Sequence, residues 1–275
     1  MADHVTLRAG DVEAILDPDC GGRIAALRIR GVDVLVTEGW GALTWGCYPM
    51  VPWAGRLRDG VLPWDGVEHR LPVDLLPPHA IHGTLVEAPW EVAAAGPATA
   101  TLGADLAAPW PFGGRAIHRV RVAPDGLHAE LEVRAANRPM PTIVGWHPWF
   151  RRVLRDGAGT ALGGPAIVEL AAGGMLRRGP DGIPTGEVVR PIPPEPWDDC
   201  FVEMAGSPGV RWPGAFEIRV ASGCPFWVVY TEREEGVCIE PQTGPPNGLA
   251  TGECAVVAPG SPLHAAMSIT WRPLD

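Results

Sequence analysis

No apolar stretch of this chain runs far before it meets a helix breaker. The sequence spreads 35 Gly and 31 Pro through 275 residues. Proline removes a backbone donor and clashes with the preceding turn, and glycine in a helix interior costs roughly 0.5–1 kcal/mol relative to alanine. What lies between the breaks alternates with period two. Leu127, Ala129, Leu131 and Val133 fall on one side and His128, Glu130, Glu132 and Arg134 on the other, the pattern of a half-buried strand. AIHRVRV (116–122) alternates the same way, and APDG (123–126) joins the two runs as a hairpin turn. Further strands are predicted at VEAIL (12–16), RIAALRI (23–29), VDVLV (32–36), TATLGADL (99–106), AIVEL (166–170), FEIRV (216–220), FWVVYT (226–231) and AMSITW (266–271). No amphipathic stripe of helical length competes with them. The chain is expected to be all-β, a large antiparallel β-sandwich. No repeat or charge block divides it. The Pro-rich stretch RPIPPEPWDD (190–199) is read as an ordered loop anchored by Trp197 and Phe201, so a single domain over residues 1–275 is expected.

Charge narrows the functions open to such a fold. The formal net charge is −10, which argues against nucleic acid or an anionic membrane as the main partner, since both need a basic face. All 22 basic residues are Arg, which removes Schiff-base and lysine general-base chemistry. Cys20, Cys47, Cys200, Cys224, Cys238 and Cys254 form no C-x-x-C pair. Neither a zinc ribbon nor a redox motif is expected; buried free thiols in a reducing compartment are. The opening MADHVTLRAGDVEAILD lacks the apolar segment of a signal peptide. No run approaches the roughly 20 apolar residues of a membrane span. A cytoplasmic protein is the expectation.

Function on β scaffolds is expected at loops and strand ends, and four places there hold reactive residue types. In YPMVPWAGRLRDG (48–60), Arg56 is either a solvated surface residue or a ligand-binding one. In HAIHGTL (79–85), His82 precedes a glycine and is either a turn residue or a site residue. In GWHPWF (145–150), His147 is held between tryptophans, either as a satisfied core group or as a desolvated proton-transfer group. In VCIEPQTGPPNGL (237–249), Glu240 interrupts an apolar run, which points to a structural ion pair or to a carboxylate of raised basicity. WDDCF (197–201) is a further carboxylate source. His118 and His128 are read as exposed residues on polar strand faces. The chain has 12 Trp against 2 Tyr and 5 Phe. Trp45, Trp53, Trp64, Trp90, Trp146, Trp149 and Trp197 fall near these segments, where indole faces could stack on sugar C–H surfaces or simply fill the core.

Taken in order, PMVPWAGRLRDG, IHG, GWHPWF, DDCF and IEPQTGPPN resemble the aldose 1-epimerase (galactose mutarotase) family, over nearly the whole chain. The resemblance implies a large antiparallel sandwich with a cleft across one sheet and an isomerase that interconverts α and β anomers of an aldose. It implies Glu240 as general base, His147 as general acid, His82 near the sugar ring oxygen, and Arg56 and Asp198 on sugar hydroxyls. Asp199 is adjacent, and a shift of one residue exchanges the two aspartates. A carboxylate close to His147 would favour its protonated form. The substrate expected is a monosaccharide, with no metal or organic cofactor, and the protein a monomer or weak homodimer. The chain departs from the family's pattern at Gly55, where many members have Asn before the binding Arg. It departs again at Val228, where a sugar-contacting Gln often stands, and at HPWF in place of HPYF. Three other functions share these residues: a non-catalytic sugar-binding module, a glycoside hydrolase or lyase using Asp198 and Glu240, and a metal site from His82, His147 and Glu240, which lacks the usual ligand spacing.

Overall fold

Two antiparallel sheets carry the fold in the computed structural model, which describes residues 4–274; the first three residues of the N-terminal segment lie outside it. The larger sheet has eleven strands. From edge to edge it runs Val5–Ala9, Val12–Asp17, Arg23–Ile29, Cys47–Met50, Gly145–Arg151, Gly236–Gln242, Phe226–Tyr230, Asp198–Met204, Ala172–Arg178 and Pro184–Val189, with Val32–Asp33 paired to Arg23–Ile29. The eight-stranded sheet runs Glu91–Ala95, Thr99–Asp105, Arg115–Ala123, Gly126–Arg134, Leu263–Pro273, Phe216–Ser222, Gly209–Trp212 and Ile167–Glu169. The only α-helical segment among the described residues is one turn, Gly248–Thr251. The all-β antiparallel sandwich read from the sequence is the fold observed, and one contiguous set of buried side chains spans both sheets.

The hairpin forms as its alternation requires, with Arg115 opposite Arg134 and Ala123 opposite Gly126. VDVLV is regular only at Val32–Asp33, although Val34 and Val36 still donate to the carbonyl oxygens of Leu27 and Trp149. The strands hardest to see in the sequence are those in the middle of the larger sheet. Cys47–Met50 and Gly236–Gln242 are buried at every position, and Gly145–Arg151 at all but the last. Covered on both faces, they lack the inside–outside alternation that marks a half-exposed strand.

His118 contradicts its expected exposure. It shares the inward face of its strand with Ala116, Val120 and Val122, all buried; the phase of AIHRVRV places Ile117, Arg119 and Arg121 outward instead. Its Nδ1–H donates to the Gly22 carbonyl at 3.2 Å, and its Nε2 accepts from the Trp146 indole at 3.2 Å, which ties the two sheets together. Burial pulls its imidazolium down to about 4. His128 is partly exposed, on the outer side as expected. Glu132, on that same outer face, is covered by the guanidinium groups of Arg119, at 2.7 Å, and Arg134. Trp197 packs edge-on against Phe201 at 5.4 Å between ring centres, anchoring the Pro-rich stretch.

Candidate active site

Five neighbouring strands in the middle of the larger sheet present alternate residues to one face. Tyr48 is paired with His147, and Val228 with both Glu240 and Cys200. The register that sets Gly145 opposite Gln242 and Trp149 opposite Cys238 brings His147 across from Glu240. A row thus crosses the sheet as Tyr48, His147, Glu240, Val228, Cys200. The opposite faces of these strands, including Trp146 and Phe150, belong to the core. His147 and Glu240 stand mid-strand, whereas Arg56 and Asp198 open their strands and His82 follows one.

Loops roof this face and leave a cavity of about 170 Å³. Its lining brings together His147, Glu240, His82, Arg56 and Asp198, the five residues singled out in the sequence, with Tyr48, Trp149, Val228, Tyr230, Arg233 and Gln242. His147 Nε2 lies 3.1 Å from Glu240 Oε1. The imidazole is stacked between Tyr48, at 4.8 Å, and Trp149, at 5.4 Å. Glu240 is 2% exposed and His147 7%. Burial, with a further push from Asp198, holds the Glu240 carboxyl well above its usual range. Burial, with a smaller push from the Arg23 guanidinium, draws the His147 imidazolium down to about 3. Desolvation penalises both charged forms, so the resting pair is neutral overall, with one proton between the two groups.

Arg56 is not a solvated surface residue. It donates to Asp198 Oδ2 at 3.0 Å and to the Gly182 carbonyl at 3.4 Å. Asp198 Oδ2 also lies 3.1 Å from Arg178 Nη1. Asp198 lines the cavity while Asp199 does not; Asp199 Oδ1 lies 3.5 Å from Nε of the same Arg178.

His82 is held by its neighbour in space, Gly55. The Gly55 amide donates to His82 Nδ1 at 3.2 Å, and the His82 amide donates to the Gly55 carbonyl at 3.2 Å. An accepting Nδ1 places the ring proton on Nε2, so His82 is a neutral donor. Burial keeps it so by holding its pKa well below the usual value. Gly55 has φ +72, and a Cβ there would come within 2.8 Å of Pro246, which accounts for glycine where the family pattern has asparagine.

Sequence reasoning missed Gln242, which is fully buried and lines the cavity; its place two residues after Glu240 on one strand was the available signal. The tryptophans are mainly core. Of the seven named, only Trp149 lines the cavity, while Trp53, Trp90 and Trp146 are buried in the core. The cysteines are free as expected, four of them buried. Among the described residues His147, Cys238 and Glu240 bring one donor atom each within 4.8 Å of one another. Tetrahedral zinc, with bonds of about 2.0–2.3 Å, would require the trio to contract, and burial holds the Cys238 thiol well above its usual value. His82, included in the metal reading of the sequence, is not in that trio.

Residues 3–270 match the family model for aldose 1-epimerase, and the chain belongs to that family. Its fold is similar to several solved structures. A candidate aldose 1-epimerase of Escherichia coli K12 superposes with a TM-score of 0.85 at 20% identity, covering 99% of each chain. A galactose mutarotase-like protein of Clostridium acetobutylicum gives 0.84 at 16% identity, over 98% of this chain and 95% of that one. An aldose epimerase homologue of C. elegans gives 0.82 at 14% identity, over the whole of both chains. No curated protein matches the sequence. No helix among the described residues is long and apolar enough to cross a membrane.

Proposed function

We propose that the protein is an aldose 1-epimerase, interconverting the α and β anomers of a monosaccharide in the cavity over His147 and Glu240. The observation that carries this reading is the buried carboxylate–imidazole pair, 3.1 Å apart at the floor of a cavity also lined by His82, Arg56 and Asp198. Mutarotation removes the proton of the C1 hydroxyl and supplies one to the ring oxygen. The C1–O bond of the ring breaks, the aldehyde rotates about C1–C2, and the ring closes from the other face. One proton held between two groups is the stock this requires. It sits on His147 when Glu240 is the base, passes to the ring oxygen as Glu240 takes the anomeric proton, and the traffic reverses on closure. General acid–base help of this kind is worth about 10²–10⁴-fold. His82, neutral and donating from Nε2, suits the ring oxygen or a neighbouring hydroxyl; Arg56 and Asp198 suit hydroxyls further along the ring.

Two features weigh against the alternatives. Asp198 is engaged by both Arg56 and Arg178, so it is not free to serve as the second carboxylate of a glycoside hydrolase. A binding module gains nothing from burying an imidazole against a carboxylate, which costs stability. The test is the approach to anomeric equilibrium of freshly dissolved α-glucose, α-galactose, arabinose, xylose and glucose 6-phosphate, followed by NMR. The protein should accelerate at least one of them, and Glu240→Gln should remove most of the acceleration. Buffer rates for the whole panel would overturn the reading.

A further inference from the structure

Gln242 occupies a position that the sequence motifs did not single out. It is fully buried, and its Nε2 donates to Glu240 Oε2 at 3.2 Å while the carboxylate's other oxygen faces His147. Its own Oε1 is buried with no hydrogen-bond partner, and the side chain lines the cavity. A buried amide oxygen without a partner is costly, by roughly 1–3 kcal/mol, and calls for an explanation. The neighbouring strand makes room for this side chain: a Cβ at Gly145 would meet Gln242 Cγ at 3.1 Å and the Pro241 carbonyl oxygen at 2.4 Å. Gln242 is also the one amide side chain among the cavity-lining residues, on a sheet face where Val228 offers no hydrogen bond.

We infer that Gln242 is a positioning and substrate-reading residue: its N–H fixes the Glu240 carboxylate for proton transfer, and its Oε1 accepts a hydroxyl of the bound sugar. The inference rests on the function proposed above. Its two halves reinforce each other. In the reacting state, with the shared proton on His147 and Glu240 ionised, the amide can donate to the carboxylate only by turning Nε2 toward it, as observed, which leaves the oxygen to meet a donor, and a sugar hydroxyl is a donor of the right kind. The hydrogen bond also favours the charged form of Glu240, opposing the burial that disfavours it. The other groups acting on Glu240 are His147, Tyr48, Asp198, Arg56 and the thiols of Cys47, Cys200 and Cys238. None of them is altered by a change at 242.

The experiment is the pH profile of kcat/KM for anomerisation in wild type, Gln242→Met and Gln242→Glu, all of similar size, with thermal melting as the folding control. Gln242→Met removes a donor to the carboxylate, so the acid limb should move up by about one pH unit. KM should rise about tenfold for the lost hydroxyl contact. Gln242→Glu places a second carboxylate there and should move the limb further in the same direction. In a panel of monodeoxy sugars, one should have the same KM with wild type and Gln242→Met, identifying the hydroxyl read. An acid limb and KM unchanged in a folded Gln242→Met, with Glu240→Gln inactive, would overturn the role of Gln242 and leave the proposed function standing. A wild type without activity, or a fully active Glu240→Gln, would overturn both.

Discussion

Gly55 and His82, 27 positions apart in sequence, exchange two hydrogen bonds of 3.2 Å each: one from the Gly55 amide to the imidazole Nδ1, one from the His82 amide to the Gly55 carbonyl. The tautomer and direction of His82 are thereby set by a backbone turn that only glycine adopts without strain. Gly55→Ala would force an L residue to φ +72, at about 1–2 kcal/mol, and press a methyl against Pro246. Loss of about 2 kcal/mol shows as roughly 4–8 °C in Tm for a chain of this size. KM should rise as well, because the ring of His82 shifts with the turn. Differential scanning fluorimetry and steady-state kinetics check both.

On the proposed function, Glu240 and His147, 3.1 Å apart, share one proton and act as a unit. Glu240→Gln and His147→Asn should each lower kcat by about 10²–10⁴-fold. The double variant should be little worse than either single one, since half of such a unit does not work. Multiplicative losses would show that the two act independently.

The two adjacent aspartates are separable. Asp198→Asn removes the cavity-lining charge that Arg56 and Arg178 both address, and should raise KM about tenfold or more. Asp199→Asn, at a residue that does not line the cavity, should leave KM within about twofold of wild type. Equal effects on KM would contradict the assignment of Asp198 alone to the cavity.

Acid should weaken the fold before the carboxylates of the surface ion pairs titrate. His118 binds its proton near 6.5 when unfolded and near 4 when folded. Between those values the unfolded chain carries more protons, so the stability His118 contributes is complete above pH 6.5 and is lost as pH falls toward 4. The contribution is at most about 3 kcal/mol. His147, drawn down to about 3, acts in the same direction. Glu240, held high, acts oppositely and loses stability as pH rises above the ordinary carboxyl range. Tm should therefore fall from pH 6.5 to 4, and His118→Gln should flatten that slope. An unchanged slope would remove His118 as the cause.

The half-buried strands were legible in the sequence because one of their faces meets water; AIHRVRV lies within the strand Arg115–Ala123 and buries every second residue. The strands that carry the site were visible only as motifs, since burial on both faces erases their periodicity. His147 and Glu240 were identifiable as residue types out of place in apolar surroundings, but not their register, which depends on a pairing of distant segments. His118 was misread because its inward phase is set by Ala116, Val120 and Val122, while its polarity suggested the opposite. The tryptophans stayed open for a related reason: an indole serves a core as readily as a sugar, and the sequence does not distinguish the two. Gln242 went unnoticed because nothing in its type announces that its oxygen is left without a partner.

Glu240 and His147 hang from the two central strands of the larger sheet, whereas Thr44, Arg233 and Pro246 reach the same cavity from its connections. Insertions and deletions in those connections can remodel the entrance without shifting the register that seats His147 beside Glu240. On the proposed function, descendants of such a scaffold can exchange one sugar for another by redrafting the roof while inheriting the hearth intact.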